Sequence, residues 1–128
     1  MGQLNILCVD DNDDILAIAR LALGLDPQIA VRSATNGPDA LRTLLSPDWP
    51  VHAILLDIRM PGEDGRTLFG EIRNIPIHSD TPVIFMSGYV TAEERAECMA
   101  LGAAAVIPKP FDPVILPKQL RQILAHPA

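Results

Sequence analysis

The sequence predicts an α/β domain, a parallel sheet of five strands with helices on both faces. Three observations carry that reading. Five short apolar runs alternate with longer segments of helical periodicity. The runs are nearly continuous in hydrophobic residues, as strands covered on both sides must be, and their alternation with helices implies right-handed crossovers. The 128 residues suffice for one domain of ordinary size, taken here as a single unit over 1–128.

Ile6-Leu7-Cys8-Val9 is the first strand, stopped by Asp10 and Asp11. Ile15, Ile18, Ala19 and Ala22 share a helix face, giving a first helix over about 14–25. Ile29 to Ala34 is the second strand, and Asn36-Gly37-Pro38 turns into a helix whose apolar face is Ala40, Leu41, Leu44 and Leu45. Val51 to Leu56 forms the third strand and ends on Asp57. Residues 60–65 read as a loop, and Leu68 with Ile72 marks the third helix. Pro82 to Met86 is the fourth strand, ending at Ser87-Gly88. Thr91 and Glu94 form a capping box for a helix over about 92–101 that stops near Gly102. Ala105-Val106-Ile107 is a short fifth strand before Pro108-Lys109-Pro110. The last helix follows Asp112, with Leu116, Leu120, Ile123 and Leu124 on one face; Pro117 requires it to start late or kink.

Composition removes several function classes. Hydrophobic residues at 48% and charged residues at 20% are ordinary globular values, which excludes a disordered or fibrous chain. Ten Lys and Arg against sixteen Asp and Glu give a net charge of -6, with no basic run to neutralise phosphates, so no direct nucleic-acid binding is expected. Five scattered aromatics, Trp49, Phe69, Phe85, Tyr89 and Phe111, make no stacking platform. No apolar stretch is long enough for a membrane span and no signal segment is visible, so a cytoplasmic protein is expected. Cys8 and Cys98 lack metal-ligand spacing and read as buried free thiols. His52, His78 and His126 match no ligand pattern and are expected to be packed or solvated.

In an open parallel sheet the functional crevice lies beyond the carboxyl ends of the strands. That rule gathers Asp10, Asp11, Asp57, Ser87 and Lys109 into one place. Three converging carboxylates require either a proton or a cation among them, and an all-oxygen donor set favours magnesium. Magnesium bound by few carboxylates shares its shell with phosphoryl oxygens, so the cluster points to phosphate chemistry. A carboxylate can attack phosphorus while a lysine and a hydroxyl stabilise the equatorial oxygens, and Asp57, Lys109 and Ser87 suit those roles. Singly, each of these residues would be an ordinary loop or helix-start residue; the set carries the argument.

Asp10-Asp11, Leu55-Leu56-Asp57-Ile58-Arg59-Met60-Pro61 with Gly65, Met86-Ser87-Gly88 and Lys109-Pro110-Phe111 resemble the response regulator receiver domain in order and spacing. The resemblance implies a flavodoxin-like sheet of order 2-1-3-4-5. It also implies Asp57 as phosphoacceptor, with Asp10, Asp11, Asp57 and the Arg59 carbonyl as Mg2+ ligands, Ser87 as switch hydroxyl and Lys109 as phosphate-pairing cation. The implied donor is a sensor histidine kinase or phosphotransfer protein, and the implied target a downstream effector. A cis Lys109-Pro110 bond is implied as well. Such a domain catalyses its own phosphorylation and dephosphorylation rather than a metabolic reaction.

Where the family commonly has Tyr or Phe three residues before the lysine, this chain has Val106, which cannot act as a swinging ring. The loop from Ser87 to Thr91, with Tyr89 as mover, is the expected alternative route. Pro108 is tolerable if the fifth strand is an edge. Two other functions stay open at this point: a phosphatase with an aspartyl nucleophile, though Asn12 stands where its general acid would be, and a receiver-like binding module that is never phosphorylated.

Overall fold

The computed structural model describes residues 3–125. Strands β1 (Leu4–Val9), β2 (Ile29–Ala34), β3 (Ala53–Asp57), β4 (Val83–Ser87) and β5 (Ala105–Pro108) form one parallel sheet of order β2-β1-β3-β4-β5. Helices α1 (Asp13–Leu23), α2 (Gly37–Leu45), α3 (Gly65–Arg73), α4 (Ala92–Leu101) and α5 (Leu116–Ala125) cover it. The order reverses between β1 and β3, which makes this the flavodoxin-like doubly wound arrangement. Pro108 lies on an edge strand, as its missing N–H requires.

Alternating residues of the buried strands divide the core in two. Leu7, Val9, Ile54, Leu56, Val83, Phe85 and Val106 face α2, α3 and α4, packing with Leu44, Leu68, Phe69, Ile72 and Cys98. Ile6, Cys8, Ala53, Leu55, Ile84, Met86 and Ile107 face α1 and α5, packing with Leu16, Leu23, Leu116 and Leu120. Both cysteines are buried and free, and burial pushes the Cys8 thiol up to about 12.

Several details differ from the sequence reading. The buried face of α1 is Leu16, Ala19, Ala22 and Leu23, while Ile18 is 41% exposed. Two overlapping helical patterns run through that segment, and packing on β1 selects the one through Leu16. Leu45 of α2 is also exposed. Val51 and His52 precede β3 rather than open it. The stretch expected to be only a loop contains a small antiparallel hairpin, Arg59–Met60 with Glu63–Asp64. Its turn residues are Pro61 and Gly62, the latter at φ +74°, the pairing a type II turn favours. A 3-10 turn spans Pro76–His78, a segment to which the sequence reading assigns no element. Helix α5 does start late: Pro117 is its second residue, where its absent N–H leaves no gap in the ladder.

Candidate functional site

Each strand end delivers its polar residue to one edge of the sheet. Asp10 follows β1 and donates its N–H to the Ala34 carbonyl at 3.1 Å. Asp57 is the last residue of β3 and pairs in register with Met86, one residue before Ser87. Lys109 follows β5, its N–H donating to the Ser87 carbonyl at 2.7 Å, and the Lys109-Pro110 bond is cis. Asp10, Asp11, Asn12, Asp57, Arg59, Ser87, Tyr89 and Lys109 line a crevice of about 360 Å³.

The local sequence explains why these residues meet. Asp10 Oδ1 accepts the Asn12 N–H at 2.9 Å, and Asn12 Oδ1 in turn accepts the N–H groups of Asp14 and Ile15, capping α1. The acidic pair therefore sits directly before a helix start. On the other side Gly65 is obligatory: a Cβ there would lie 2.2 Å from the Asp57 carbonyl oxygen. Its N–H donates to the Ile58 carbonyl at 2.7 Å, so α3 begins against the backbone that carries Asp57. No side chain larger than hydrogen allows that approach.

Asp10 and Asp57 are buried, Asp11 is exposed, and one carboxylate oxygen from each comes within 4.8 Å of the others. Lys109 Nζ lies 2.6 Å from Asp10 Oδ2 and 3.3 Å from Asp57 Oδ1. The Arg59 N–H donates to the same Asp57 oxygen at 3.3 Å, which leaves Oδ2 free of both contacts. Burial, then the charge of Asp10, push the Asp57 carboxyl up to about 6, against the opposing pull of Lys109 and the Arg59 N–H. Asp10 Oδ2, fully buried, takes no hydrogen bond; the lysine is near in charge but off the line of one. A buried carboxylate oxygen without a donor, in a cluster of hard oxygens, fits a divalent cation such as Mg2+.

Ser87 is buried, and its hydroxyl donates to the Tyr89 carbonyl at 2.6 Å. Tyr89, which lines the crevice, is 74% exposed. Val106 is buried in the core face shared with α4. The structure thus brings Asp10, Asp11, Asp57, Ser87 and Lys109 to one crevice, and adds a contact of the Arg59 side chain that the sequence reading lacks. Its guanidinium donates to the Tyr89 carbonyl at 3.0 Å and pairs with Glu94. Nothing in the spacing of the motifs announces that contact. Of the histidines, His78 is buried between Thr81 Oγ1 and the Leu44 carbonyl, His52 Nδ1 accepts the Asn5 N–H, and His126 lies outside the described residues. Among the described residues no helix is long and apolar enough to cross a membrane.

Comparison with known proteins agrees with this geometry. The model of the response regulator receiver domain matches residues 6–121. A 14.6 kDa protein of Leptolyngbya boryana, encoded in the sodA1 3' region, is 33% identical over 99% of this chain and 95% of its own length. Regulatory protein AtoC of Escherichia coli is 36% identical over 84% of this chain, and a probable cyclic di-GMP phosphodiesterase of Vibrio cholerae is 31% identical over 98%. The chain spans only 22% and 27% of those two proteins. Among solved structures, chemotaxis protein CheY4 of Vibrio cholerae matches with a TM-score of 0.86 at 26% identity, over 95% of this chain and 99% of that one. A response regulator from Chloroflexus aurantiacus matches with a TM-score of 0.85 at 27% identity, over 98% and 100%. With the strand order, the acid crevice and the family match in agreement, this chain belongs to the response regulator receiver domain family of two-component signalling.

Proposed function

We propose that the chain, as one receiver unit over 1–128, takes a phosphoryl group onto Asp57 and changes conformation to control an output. The donor is a sensor histidine kinase or phosphotransfer protein, and the output a downstream effector domain or protein. We place the exchange in the cytoplasm. The observation that carries the reading is the convergence of Asp57, Asp10, Ser87 and Lys109 on one crevice, with the Lys109 ammonium reaching both buried carboxylates.

Asp57, with a carboxyl at about 6, is ionised at neutral pH and supplies the nucleophilic oxygen. A new O–P bond forms as the P–N bond of a phosphohistidine breaks, and that bond's electron pair leaves on the imidazole nitrogen. Lys109 neutralises charge on the transferred group, and the Ser87 hydroxyl exchanges the Tyr89 carbonyl for a phosphoryl oxygen. Asp10, Asp11, Asp57 and the Arg59 carbonyl are the residues that would hold Mg2+. That ion, when bound, would neutralise the acids and draw a phosphoryl oxygen into the site. An aspartyl phosphatase is disfavoured because Asn12, in the place of its general acid, spends its side-chain oxygen capping α1. A receiver-like module that is never phosphorylated would have no use for the full acid, hydroxyl and lysine set.

Incubation with acetyl phosphate and magnesium should raise the intact mass by one phosphoryl group, and Asp57→Asn should abolish the adduct while keeping the fold. Equal labelling of the mutant would refute the assignment.

A further inference from the structure

The start of α4 is held by a link that the phosphoryl chemistry leaves unused. The Tyr89 carbonyl accepts two hydrogen bonds, from Ser87 Oγ at 2.6 Å and from Arg59 Nη1 at 3.0 Å. Arg59 Nη2 pairs with Glu94 Oε2. Glu94 Oε1 accepts the Thr91 N–H at 3.3 Å, while Thr91 Oγ1 accepts the Glu94 N–H at 3.0 Å, completing the capping box of α4. One side chain from the loop after Asp57 therefore grips both the loop after Ser87 and the first turn of α4. That grip matters because α4 buries only Cys98. Its other polar ties are Arg66 Nη1 to Glu97 at 2.6 Å and Arg95 Nη1 to the Val106 carbonyl at 3.2 Å.

We propose that the Arg59 side chain is a latch that holds residues 87–94 in the unphosphorylated arrangement, and that Ser87 and Arg59 are coupled through the Tyr89 carbonyl they share. Its trigger rests on Asp57 being the phosphoacceptor; the latch itself does not. When the Ser87 hydroxyl turns to a phosphoryl oxygen, the Tyr89 carbonyl keeps Arg59 as its one donor. A phosphoryl group on Asp57, whose Oδ1 already accepts the Arg59 N–H, then competes with Glu94 for the guanidinium. The latch opposes the active arrangement until phosphorylation removes one donor from the carbonyl and offers the other a more highly charged partner. This route moves backbone and an arginine, and needs no ring at Val106.

Amide exchange of residues 88–95 in the unmodified chain tests the latch in wild type, Arg59→Gln and Glu94→Gln. Gln at the third helical position still completes a capping box, so Glu94→Gln removes only the charge that anchors Arg59. Exchange at 88–95 should quicken about fivefold in Arg59→Gln, the scale of one lost hydrogen bond, and less in Glu94→Gln, with α1 unchanged in both. Glu94→Gln should also bind beryllofluoride with magnesium about threefold more tightly, because a latch on the unmodified state taxes apparent affinity. Unchanged exchange in both variants, or weaker beryllofluoride binding in Glu94→Gln, would overturn the proposal. A wild type that binds no beryllofluoride would count against the phosphoacceptor reading instead, and the exchange comparison would still decide whether the latch exists.

Discussion

Helix α1 buries Leu16, Ala19, Ala22 and Leu23, whereas α4 buries only Cys98 although it is nearly as long. Both start at the crevice, α1 after Asp10 to Asn12 and α4 after Ser87 to Thr91, but different forces hold them. Helix α1 is packed on β1 and against α5 by apolar surface, which does not depend on direction or on the state of the site. Helix α4 is tied by Arg59 to Glu94, Arg66 to Glu97 and Arg95 to the Val106 carbonyl. Exposed ion pairs are individually weak, and each can be redirected by a new charge. The difference teaches where a change in the crevice can be expressed: on the α4 side, with α1 as the fixed reference.

The largest expected effect tests the packing side of that contrast. Leu16→Ala should cost about 3 kcal/mol in urea unfolding, since it empties part of a closed core, while Leu101→Ala on α4, 48% exposed, should stay within about 0.5 kcal/mol. Equal losses would break the comparison.

A smaller effect locates the electrostatic strain in the crevice between the two helices. With the Asp57 carboxyl raised from its ordinary 3.8 to about 6, the folded chain binds more protons than the unfolded chain between those values. Stability of the metal-free protein therefore falls as pH rises from about 4 to about 6, and the loss is complete above that window. Asp57→Asn should be more stable than wild type by about 2 kcal/mol at pH 7.5 in chelator, and no more stable near pH 3.5. Urea unfolding at the two pH values checks it; a mutant advantage that does not grow with pH would remove Asp57 as its source.

Much of this was legible in the sequence. The continuous apolar strands and the polar residues that stop them place Asp10, Asp57, Ser87 and Lys109 at one edge of the sheet, because parallel strands bury both faces and end on the same side. The capping box at Thr91 and Glu94 and the late start forced by Pro117 were legible for the same reason, each being a local rule. Ile18 was misassigned because the patterns through Ile15 and through Leu16 both fit a helix, and only the contact with β1 separates them. Pro61-Gly62 signals a turn, but the two-residue strands on either side are too short to show a periodicity, so the hairpin was not legible. Arg59 to Glu94 had no signal at all: a pairing 35 residues apart depends on where two loops come to rest.

The most direct test of the account is residue-level amide exchange with and without beryllofluoride and magnesium, in wild type and Asp57→Asn. The predicted result is a change concentrated at residues 87–101, silence over α1 at 13–23, and no response in Asp57→Asn. A wild-type response centred on α1 or on β5 at 105–108, or an Asp57→Asn response equal to that of wild type, would contradict it.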